Sequence, residues 1–201
     1  MEPTELQTDR LVLRAVTAAD EAAIVEACNE PQIAHYLPLP VPYTREDARS
    51  FVARSAQEWA DNARYGFGFF LADTDELVGT CSLKSIAPGV VEVGYWSASR
   101  HRRKGLTTEA IRRLCQWGFD VLGVHRIEWW AVVGNDGSRA VAQAVGFDME
   151  GLLRQRGYRR EAPADWWVGG LLSRPECRVL TLGVMLANLW IRYTGSGAFV
   201  L

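Results

Sequence analysis

Apolar and polar residues repeat with different periods along the first third of the chain, and each change of period predicts an element. Residues 5–16 alternate, which predicts a first strand. The segment after Thr17 carries acidic residues in its first turns and an apolar face, which predicts a helix. Four prolines in the range Pro31–Pro42 predict a loop in its latter half. A capping-box pattern at Thr44 then predicts a helix over residues 44–62.

The middle of the chain changes from the helical period to alternation. Two strands are predicted at Gly66–Ala72 and Leu77–Ile86, joined as a hairpin by the turn Asp73–Glu76. The sequence Ala87-Pro88-Gly89 predicts another turn, and the apolar run that starts at Val90 predicts a third strand. Three consecutive antiparallel strands are therefore expected here.

The second half alternates helical and extended patterns. A helix is predicted over Gly105–Leu122, with Leu106, Ala110, Leu114, Trp117 and Val121 on its apolar face. The later elements are a strand at Val124–Val133, a helix that ends at Gly146, a strand from Phe147, a polar turn at Arg159–Ala164 and a last strand at Asp165–Leu172. This order predicts an α+β or α/β fold with a mixed sheet.

A basic glycine loop separates the third predicted strand from the long helix. Five residues that can carry positive charge precede Gly105, namely Arg100, His101, Arg102, Arg103 and Lys104. The first N–H groups of a helix have no partner within it and lie at the positive end of its dipole, so an anion is favoured there. No Ser, Thr, Asp or Asn stands immediately before Gly105 to cap these groups. Two interpretations are open: an anion-binding loop, or a solvated basic turn.

Composition limits the classes of partner. The 201 residues are 48% hydrophobic and 23% charged, which is typical of one globular domain, and a net charge of −2 argues against nucleic acid as the main partner. The four cysteines are far apart and are expected to be buried and reduced. The first ten residues lack the pattern of an export signal, so a cytoplasmic location is expected.

Three local patterns stand in order along the chain: TDRLVLR at Thr8–Arg14, GYWSASRHRRKGLTTEA at Gly94–Ala110 and NDGSRAVAQAVGFDMEG at Asn135–Gly151. Together they resemble the GNAT superfamily of acyl-CoA-dependent N-acyltransferases, and within it the branch of ribosomal-protein N-terminal acetyltransferases of the RimJ/RimL type. The resemblance implies a mixed, mostly antiparallel central sheet with flanking helices and two splayed parallel strands. It covers about residues 4–172, so a domain at 1–176 is expected, with a tail at 177–201 to which no role is assigned.

The resemblance also implies where acetyl-CoA binds. The cofactor would lie between the strands that end at Trp96–Ser97 and Val132–Val133, with its pyrophosphate on the amides of Arg103 to Thr108. The residues implied in cofactor binding are Trp96, Ser97, Arg102, Arg103, Lys104, Gly105, Leu106, Thr107, Thr108, Asn135 and Ser138. Thr107 departs from the family pattern, which has a small residue at this position. Its branched side chain can crowd the pyrophosphate or add a hydroxyl contact.

Asn135 and Ser138 match the Asn-x-x-Ser of the family, which implies that the Asn holds the pantetheine arm and the Ser lies near the thioester sulfur. The alternative is that Asn135 makes the turn and Ser138 caps the helix. As a catalytic residue, Ser138 would donate a proton to the thiolate, although a thiolate leaves well enough without one.

An amine must lose a proton before it attacks a thioester, so a carboxylate base is expected. Glu92, within the third predicted strand, is the first candidate for this base. Its alternative is a polar residue on the exposed face of a half-buried strand. The backbone N–H near Trp96 is the candidate oxyanion donor.

Other residues are weaker candidates. Tyr158 and Asp165 lie where the last hairpin of the family faces its cleft, but they can equally pack and order the turn. His35 and His125 are interpreted as core residues. In each of the pairs Trp129-Trp130 and Trp166-Trp167, one ring is expected on the cleft side, and sheet packing is the favoured role. No cluster has metal-ligand spacing, so no metal is expected.

Two classes of function remain. The first is an enzyme that moves an acetyl group from acetyl-CoA to a primary amine, either a protein N-terminus or a small molecule. The alternative is a non-catalytic acyl-CoA-binding sensor module. No membrane association is expected, because the apolar run Val179–Ile191 is shorter than the ~20 residues that span a bilayer. The tail that contains it is a possible homodimer contact.

Overall fold

The computed structural model describes residues 1–159 and 162–173. The strands found there are β1 (Leu6–Gln7), β2 (Leu11–Arg14), β3 (Arg64–Leu71), β4 (Leu77–Ala87), β5 (Val90–Ser97), β6 (Arg126–Val132), β7 (Asp148–Arg159) and β8 (Ala162–Leu172). The α-helices are α1 (Glu21–Cys28), α2 (Pro31–Tyr36), α3 (Arg45–Ala60), α4 (Leu106–Asp120) and α5 (Asp136–Val145). The predicted tail at 177–201, with Cys177, lies outside the described residues, so the domain boundary after residue 176 stays a prediction.

The strands form one sheet in the order β1-β2-β3-β4-β5-β6-β8-β7. Strands β5 and β6 run parallel, and the other neighbours run antiparallel. The long helix α4 connects this parallel pair, as a parallel crossover requires. The predicted mixed, mostly antiparallel sheet is therefore confirmed.

Helices cover both faces of the sheet. Consecutive residues of a strand therefore pack into two different buried clusters. Phe69 lies in the main core with Leu114 and Trp117 of α4, whereas the next residue, Phe70, lies in a second buried cluster with Ile24 of α1. Helix α3 contributes residues to both clusters. Around Glu92 the face opposite α4 carries polar side chains, because Glu92 alternates with the buried Val91 and Val93.

Residues 5–16 do not form the single strand that their alternation predicted. They form β1 and β2, which fold back on each other so that Leu6 is opposite Leu13. The turn between them is held by Thr8, whose hydroxyl accepts a hydrogen bond from the amide of Leu11 at 2.9 Å. The side chain of Thr8 thus competes with continuous extension of the strand, a local contact that hydrophobic periodicity cannot show.

Other differences lie at the ends of elements. Pro31 occupies the first turn of α2, where its missing N–H is not needed, so a short helix precedes the predicted loop. Helix α4 ends at Asp120, which leaves Val121 55% exposed and off the predicted apolar face. Strand β8 begins at Ala162, three residues earlier than predicted.

Several local signals are confirmed. Thr44 caps α3 through a reciprocal box with Asp47. Gly146 ends α5 with φ of 116°, a backbone conformation that residues other than glycine rarely adopt. Three of the cysteines, Cys28, Cys81 and Cys115, are buried and reduced, as expected.

Candidate active site

The parallel strands β5 and β6 separate halfway along their length. They pair from Val90 with Arg126 to Val93 with Trp129, and no further. Beyond that point β5 stays paired with β4 as far as Ser97, and β6 stays paired with β8 as far as Val132. The two halves of the sheet therefore diverge at their carboxyl ends.

A cleft of about 720 Å³ lies along this divergence. One wall is formed by α2, another by the loop before α4, and a third by the turn that opens α5. All but one of the residues that the sequence assigned to the cofactor line this cleft; these are Trp96, Ser97, Arg102, Arg103, Gly105, Leu106, Thr107, Thr108, Asn135 and Ser138. The remaining one, Lys104, lies in the same loop but does not line the cleft.

The loop before α4 presents unpaired backbone amides. Arg103 has φ of 61° and Gly105 has φ of 77°, so the chain makes left-handed turns just before the helix begins. Gly105 is the N-cap residue, and no side chain caps the helix. Within the described residues, the amides of residues 103–108 donate to no acceptor. Such a concave set of amides at a positive helix end is suited to a phosphate.

The start of α4 is fixed by the N-terminal hairpin. Glu109, in the first turn, accepts hydrogen bonds from the Thr8 hydroxyl at 2.6 Å and from Nε of Arg10 at 2.7 Å. Arg10 also donates to the carbonyl of Lys104 at 3.1 Å. Partial burial would raise the pKa of Glu109, but the bonds from Thr8 and Arg10 outweigh it and lower the pKa. Thr8 and Arg10 thus hold the loop before α4 in place.

Arg102 is occupied by contacts within the protein. Its guanidinium donates to the carbonyl of Ser97 at 2.8 Å and forms an ion pair with Glu30 at 3.2 Å, and it also contacts Gln32. This arginine therefore ties the loop to the end of β5. In the described structure, the side chains of Arg103 and Lys104 are exposed and form no ion pair, so they carry the available positive charge.

The residues that follow Gly105 point in different directions. Leu106 is buried in the core, so it can offer only its amide to a ligand. Thr107 and Thr108 are half-buried and line the cleft, and their hydroxyls form no hydrogen bond with the described residues. The hydroxyl contact considered for Thr107 is thus available on geometric grounds.

Asn135 and Ser138 lie together at the start of α5, beyond the end of β6. The side-chain oxygen of Asn135 accepts from the amide of Ser138 at 3.2 Å, so Asn135 caps the helix, a role that the alternative interpretation had given to Ser138. The NH₂ group of Asn135 forms no hydrogen bond in the described part of the chain and remains available to a ligand in the cleft. Both roles are thus compatible.

The hydroxyl of Ser138 is surrounded by two aromatic side chains. Nε1 of Trp129 donates to it at 3.0 Å, and the hydroxyl itself donates to the phenol oxygen of Tyr95 at 3.1 Å. The phenol of Tyr95 in turn donates to the carbonyl of Ser138 at 2.9 Å. Burial raises the pKa of Tyr95, although the contacts with Ser138 and Trp129 act in the opposite direction.

Glu92 lies on β5 opposite Lys84 of β4 and beside Glu128 of β6. It is half-buried and does not line the 720 Å³ cleft. Its carboxylate forms no hydrogen bond or ion pair with any described residue, whereas Glu128 accepts from Arg126 at 2.9 Å and from Nε1 of Trp130 at 3.0 Å. Glu92 is thus free to act on a group that approaches this face.

The weaker candidates are dispersed. Tyr158 is 70% exposed, and Asp165 accepts from the amide of Gln155, which orders an irregularity in β7. His35 and His125 are exposed, so their interpretation as core residues was wrong. His35 lies on the short α2, and His125 lies in the turn before β6.

The two tryptophan pairs alternate across the sheet. Trp129 and Trp167 pack with the main core. Trp130 and Trp166 point to the opposite face, where Arg156 lies 5.4 Å from the ring centroid of Trp130. None of the four lines the 720 Å³ cleft.

Tyr95, Tyr36 and His101 are among the cleft residues that the sequence did not assign to the site. Tyr95 was assigned only to strand packing, Tyr36 only to an irregular segment, and His101 only to the basic loop. The hydroxyl of Tyr36 donates to the carbonyl of Gly134 at 2.9 Å, which links α2 to the turn before α5. His101 is 5% exposed, with Nε2 at 3.2 Å from a carboxylate oxygen of Glu76. The signal available for Tyr95 in the sequence was its position between Gly94 and Trp96, near the end of the predicted strand.

The described residues contain no group of His, Cys, Asp and Glu that could hold a metal ion. None of their helices combines the length and the apolar character that crossing a membrane requires.

Comparison with known proteins agrees with this architecture. Residues 10–148 match the model of the acetyltransferase (GNAT) domain. The chain is 32% identical over 173 residues to the uncharacterized N-acetyltransferase YoaA of Bacillus subtilis (strain 168), covering 85% of this chain and 98% of that protein.

Two solved structures resemble the fold. A Vibrio cholerae protein assigned as a ribosomal-protein-serine acetyltransferase has a TM-score of 0.78 at 26% identity and covers 86% of this chain and 100% of its own. RimL, a ribosomal L7/L12 α-N-protein acetyltransferase solved in complex with coenzyme A, has a TM-score of 0.77 at 20% identity, with 84% and 98% covered. With the family model matching more than half of the chain, the protein belongs to the GNAT family of acetyl-CoA-dependent N-acetyltransferases.

Proposed function

We propose that this acetyltransferase binds acetyl-CoA in the 720 Å³ cleft and acetylates the N-terminal amine of a protein. The observation that carries the proposal is the set of free amides in the loop at residues 103–108, which borders a cleft that continues into the gap between β5 and β6. A phosphate-bearing cofactor with a long, narrow arm fits this combination.

The pyrophosphate would rest on these amides, with Arg103 and Lys104 supplying positive charge. The pantetheine arm would follow the gap between the strands. There the free NH₂ of Asn135 is a donor for its carbonyl groups, and the thioester would lie near Ser138. In this placement Arg102 contributes through the position of the loop, which it ties to Ser97.

The acceptor amine would approach from the face of the sheet that carries Glu92. An unpaired carboxylate there can take the proton of an ammonium group, directly or through a water molecule, so that a neutral amine attacks the carbonyl carbon. A backbone N–H near Trp96, on the side of β5 that faces the gap, would then polarise the carbonyl oxygen.

A protein N-terminus is favoured over a small amine as the acceptor. The support comes from the similarity to the Vibrio cholerae protein, whose assigned acceptor is a ribosomal protein. A ribosomal acceptor would place the enzyme in the cytoplasm, and the buried, reduced side chains of Cys28, Cys81 and Cys115 fit that compartment.

The test is release of CoA from acetyl-CoA by the purified protein, followed with a thiol reagent. The panel contains peptides with free N-termini, the same peptides with blocked N-termini, and small amines. We expect release with the free N-terminal peptides and none with the blocked ones. Release with small amines alone would overturn the choice of acceptor, and binding of acetyl-CoA without release by any amine would favour a sensor.

A further inference from the structure

The hydroxyl of Ser138 takes part in two hydrogen bonds, and a third, from Tyr95 to the backbone carbonyl of Ser138, closes a circuit. Trp129 Nε1 donates to Ser138 Oγ at 3.0 Å, Ser138 Oγ donates to the Tyr95 phenol at 3.1 Å, and that phenol donates to the Ser138 carbonyl at 2.9 Å. Each of the three side chains is thereby oriented by another. Tyr95 and Ser138 both line the cleft.

This circuit determines what Ser138 can offer to a ligand. A serine hydroxyl has one hydrogen and two lone pairs. Tyr95 receives the hydrogen and Trp129 uses one lone pair, so one lone pair remains. Towards the cleft, Ser138 is thus an acceptor of hydrogen bonds and not a donor.

We propose that Tyr95 is a positioning residue that fixes Ser138 as the acceptor for an N–H group of the pantetheine arm, and that Ser138 does not protonate the departing thiolate. The proposal rests on the proposed function, because it assumes that acetyl-CoA occupies the cleft. It assigns to Tyr95 a role that strand packing alone does not require.

The reaction does not need a proton from Ser138. The amine nitrogen forms a bond to the carbonyl carbon, and the bond from that carbon to sulfur breaks with its electron pair on sulfur. The attacking nitrogen loses an N–H proton, which passes to the sulfur directly or through water, and the products are an amide and the CoA thiol. Protons therefore balance between the two substrates.

The circuit is also a poor source of protons. Burial raises the pKa of the Tyr95 phenol, whereas an ordinary thiol has a pKa near 8.5, so transfer from the phenol to a thiolate is uphill. The phenol stays protonated and keeps both of its contacts with Ser138. This favours a fixed orienting group over a proton relay.

The test compares Tyr95→Phe, Ser138→Ala and the double variant by acetyl-CoA affinity and by single-turnover rate at saturating acetyl-CoA. Each single change should weaken acetyl-CoA binding about fivefold, the effect of one hydrogen bond, with the rate changed by less than about threefold. Because Tyr95 acts through Ser138, the double variant should bind no more weakly than Ser138→Ala.

The matched control is Tyr65→Phe. Tyr65 is a buried tyrosine whose hydroxyl lies 3.5 Å from Asn62, away from the cleft, so its loss should leave affinity and rate unchanged. Ser138→Thr retains a hydroxyl and guards against misfolding of Ser138→Ala, which leaves the Trp129 N–H unpaired. Affinity within about twofold of the unchanged enzyme is expected for this variant.

Three results would overturn the proposal. A loss of about a hundredfold in the rate of Ser138→Ala at saturating acetyl-CoA would identify Ser138 as a proton donor. Additive effects of the two changes would show that Tyr95 acts independently of Ser138, and unchanged affinity in Tyr95→Phe would remove its positioning role. If the unchanged protein fails to bind acetyl-CoA, the proposed function itself fails, which is a separate outcome.

Discussion

Two glutamates on the parallel strands show how neighbours decide the role of a residue. Glu92 and Glu128 are opposite each other in the register of β5 and β6. Glu128 is held by Arg126 and Trp130, so its lone pairs are used within the protein. Glu92 has no such partner among the described residues and keeps its capacity to accept a proton.

Replacing Glu92 by glutamine removes this capacity while keeping the shape of the side chain. We expect the rate of acetyl transfer to fall about a hundredfold or more, since general-base catalysis contributes this much, with acetyl-CoA affinity unchanged. Steady-state kinetics and equilibrium binding separate the two effects. The neighbouring variant Glu128→Gln should lose stability but little activity, and an unchanged rate for Glu92→Gln would exclude Glu92 as the base.

The residues of the cleft differ in how well the sequence predicts them. Gly105 was recognisable from its place at a helix start, whereas Asn135 and Ser138 were assigned to the cofactor through the family resemblance. The partner of Ser138 was not recognisable, because Tyr95 lies 43 positions away and meets it only across the fold. The exposure of His35 likewise depends on which side of a short helix meets the sheet, and a single histidine carries no period.

Helix α4 and the loop before it are held at the cleft by contacts with the N-terminal β1–β2 hairpin. Helix α4 begins with free amides, and its first turn is fixed by Thr8 and Arg10 from the β1–β2 hairpin through Glu109. Arg10 also donates to the carbonyl of Lys104 within the loop. The geometry of the amides thus depends on an arginine in another element.

Arg10→Ala should weaken acetyl-CoA binding about three- to tenfold, because the loop loses its contact at Lys104 while its own sequence is unchanged. The ion pair with Glu109 is half-exposed on the arginine side, so the cost in stability should be at most about 1 kcal/mol. Calorimetric titration with acetyl-CoA measures the first effect and urea unfolding the second.

The control is Arg113→Ala, which removes a contact between the same helix and the backbone of Gln7 without touching the loop. Equal loss of affinity in both variants would mean that the hairpin acts on α4 as a whole and not on the loop. Among the elements, periodicity predicted α4 well but missed the hairpin, because its turn depends on a hydrogen bond to the side chain of Thr8.

Across the whole molecule, buried and bonded carboxylates connect stability to pH. Burial would raise the pKa of Asp20, but its hydrogen bonds with Arg14 and Thr17 outweigh this and lower the pKa below the ordinary 3.8. The pKa of Glu109 is also lowered from 4.5. A carboxylate with a lowered pKa stabilises the fold above its unfolded value, and that contribution is lost as the pH falls through the folded value.

We therefore expect the free energy of unfolding to be nearly constant from pH 7 to pH 5 and to fall progressively below the ordinary pKa values. Urea unfolding at a series of pH values measures this. Asp20→Asn should reduce stability at pH 7 by about 1–3 kcal/mol and make the acid decline shallower, since one of the titrating groups is gone. An equally steep decline in the variant would contradict the assignment to Asp20.

The overall architecture was more predictable than its site. The succession of periods gave the mixture of strands and helices, because burial on sheet faces imposes alternation regardless of detail. The divergence of β5 and β6 came only through the family resemblance, since both strands remain apolar past Val93 and Trp129, where their pairing stops.

That divergence leaves a stretch of sheet incomplete. Past Val93, alternate peptide groups of β5 point across a gap that no described strand fills, although β4 continues alongside to Ser97. Peptide groups withdrawn from water need partners, and the pantetheine arm carries amides of its own. The cofactor would then behave as a short extra strand that joins the β1–β5 half of the sheet to the β6–β8 half, so that substrate loading and completion of the fold become one event.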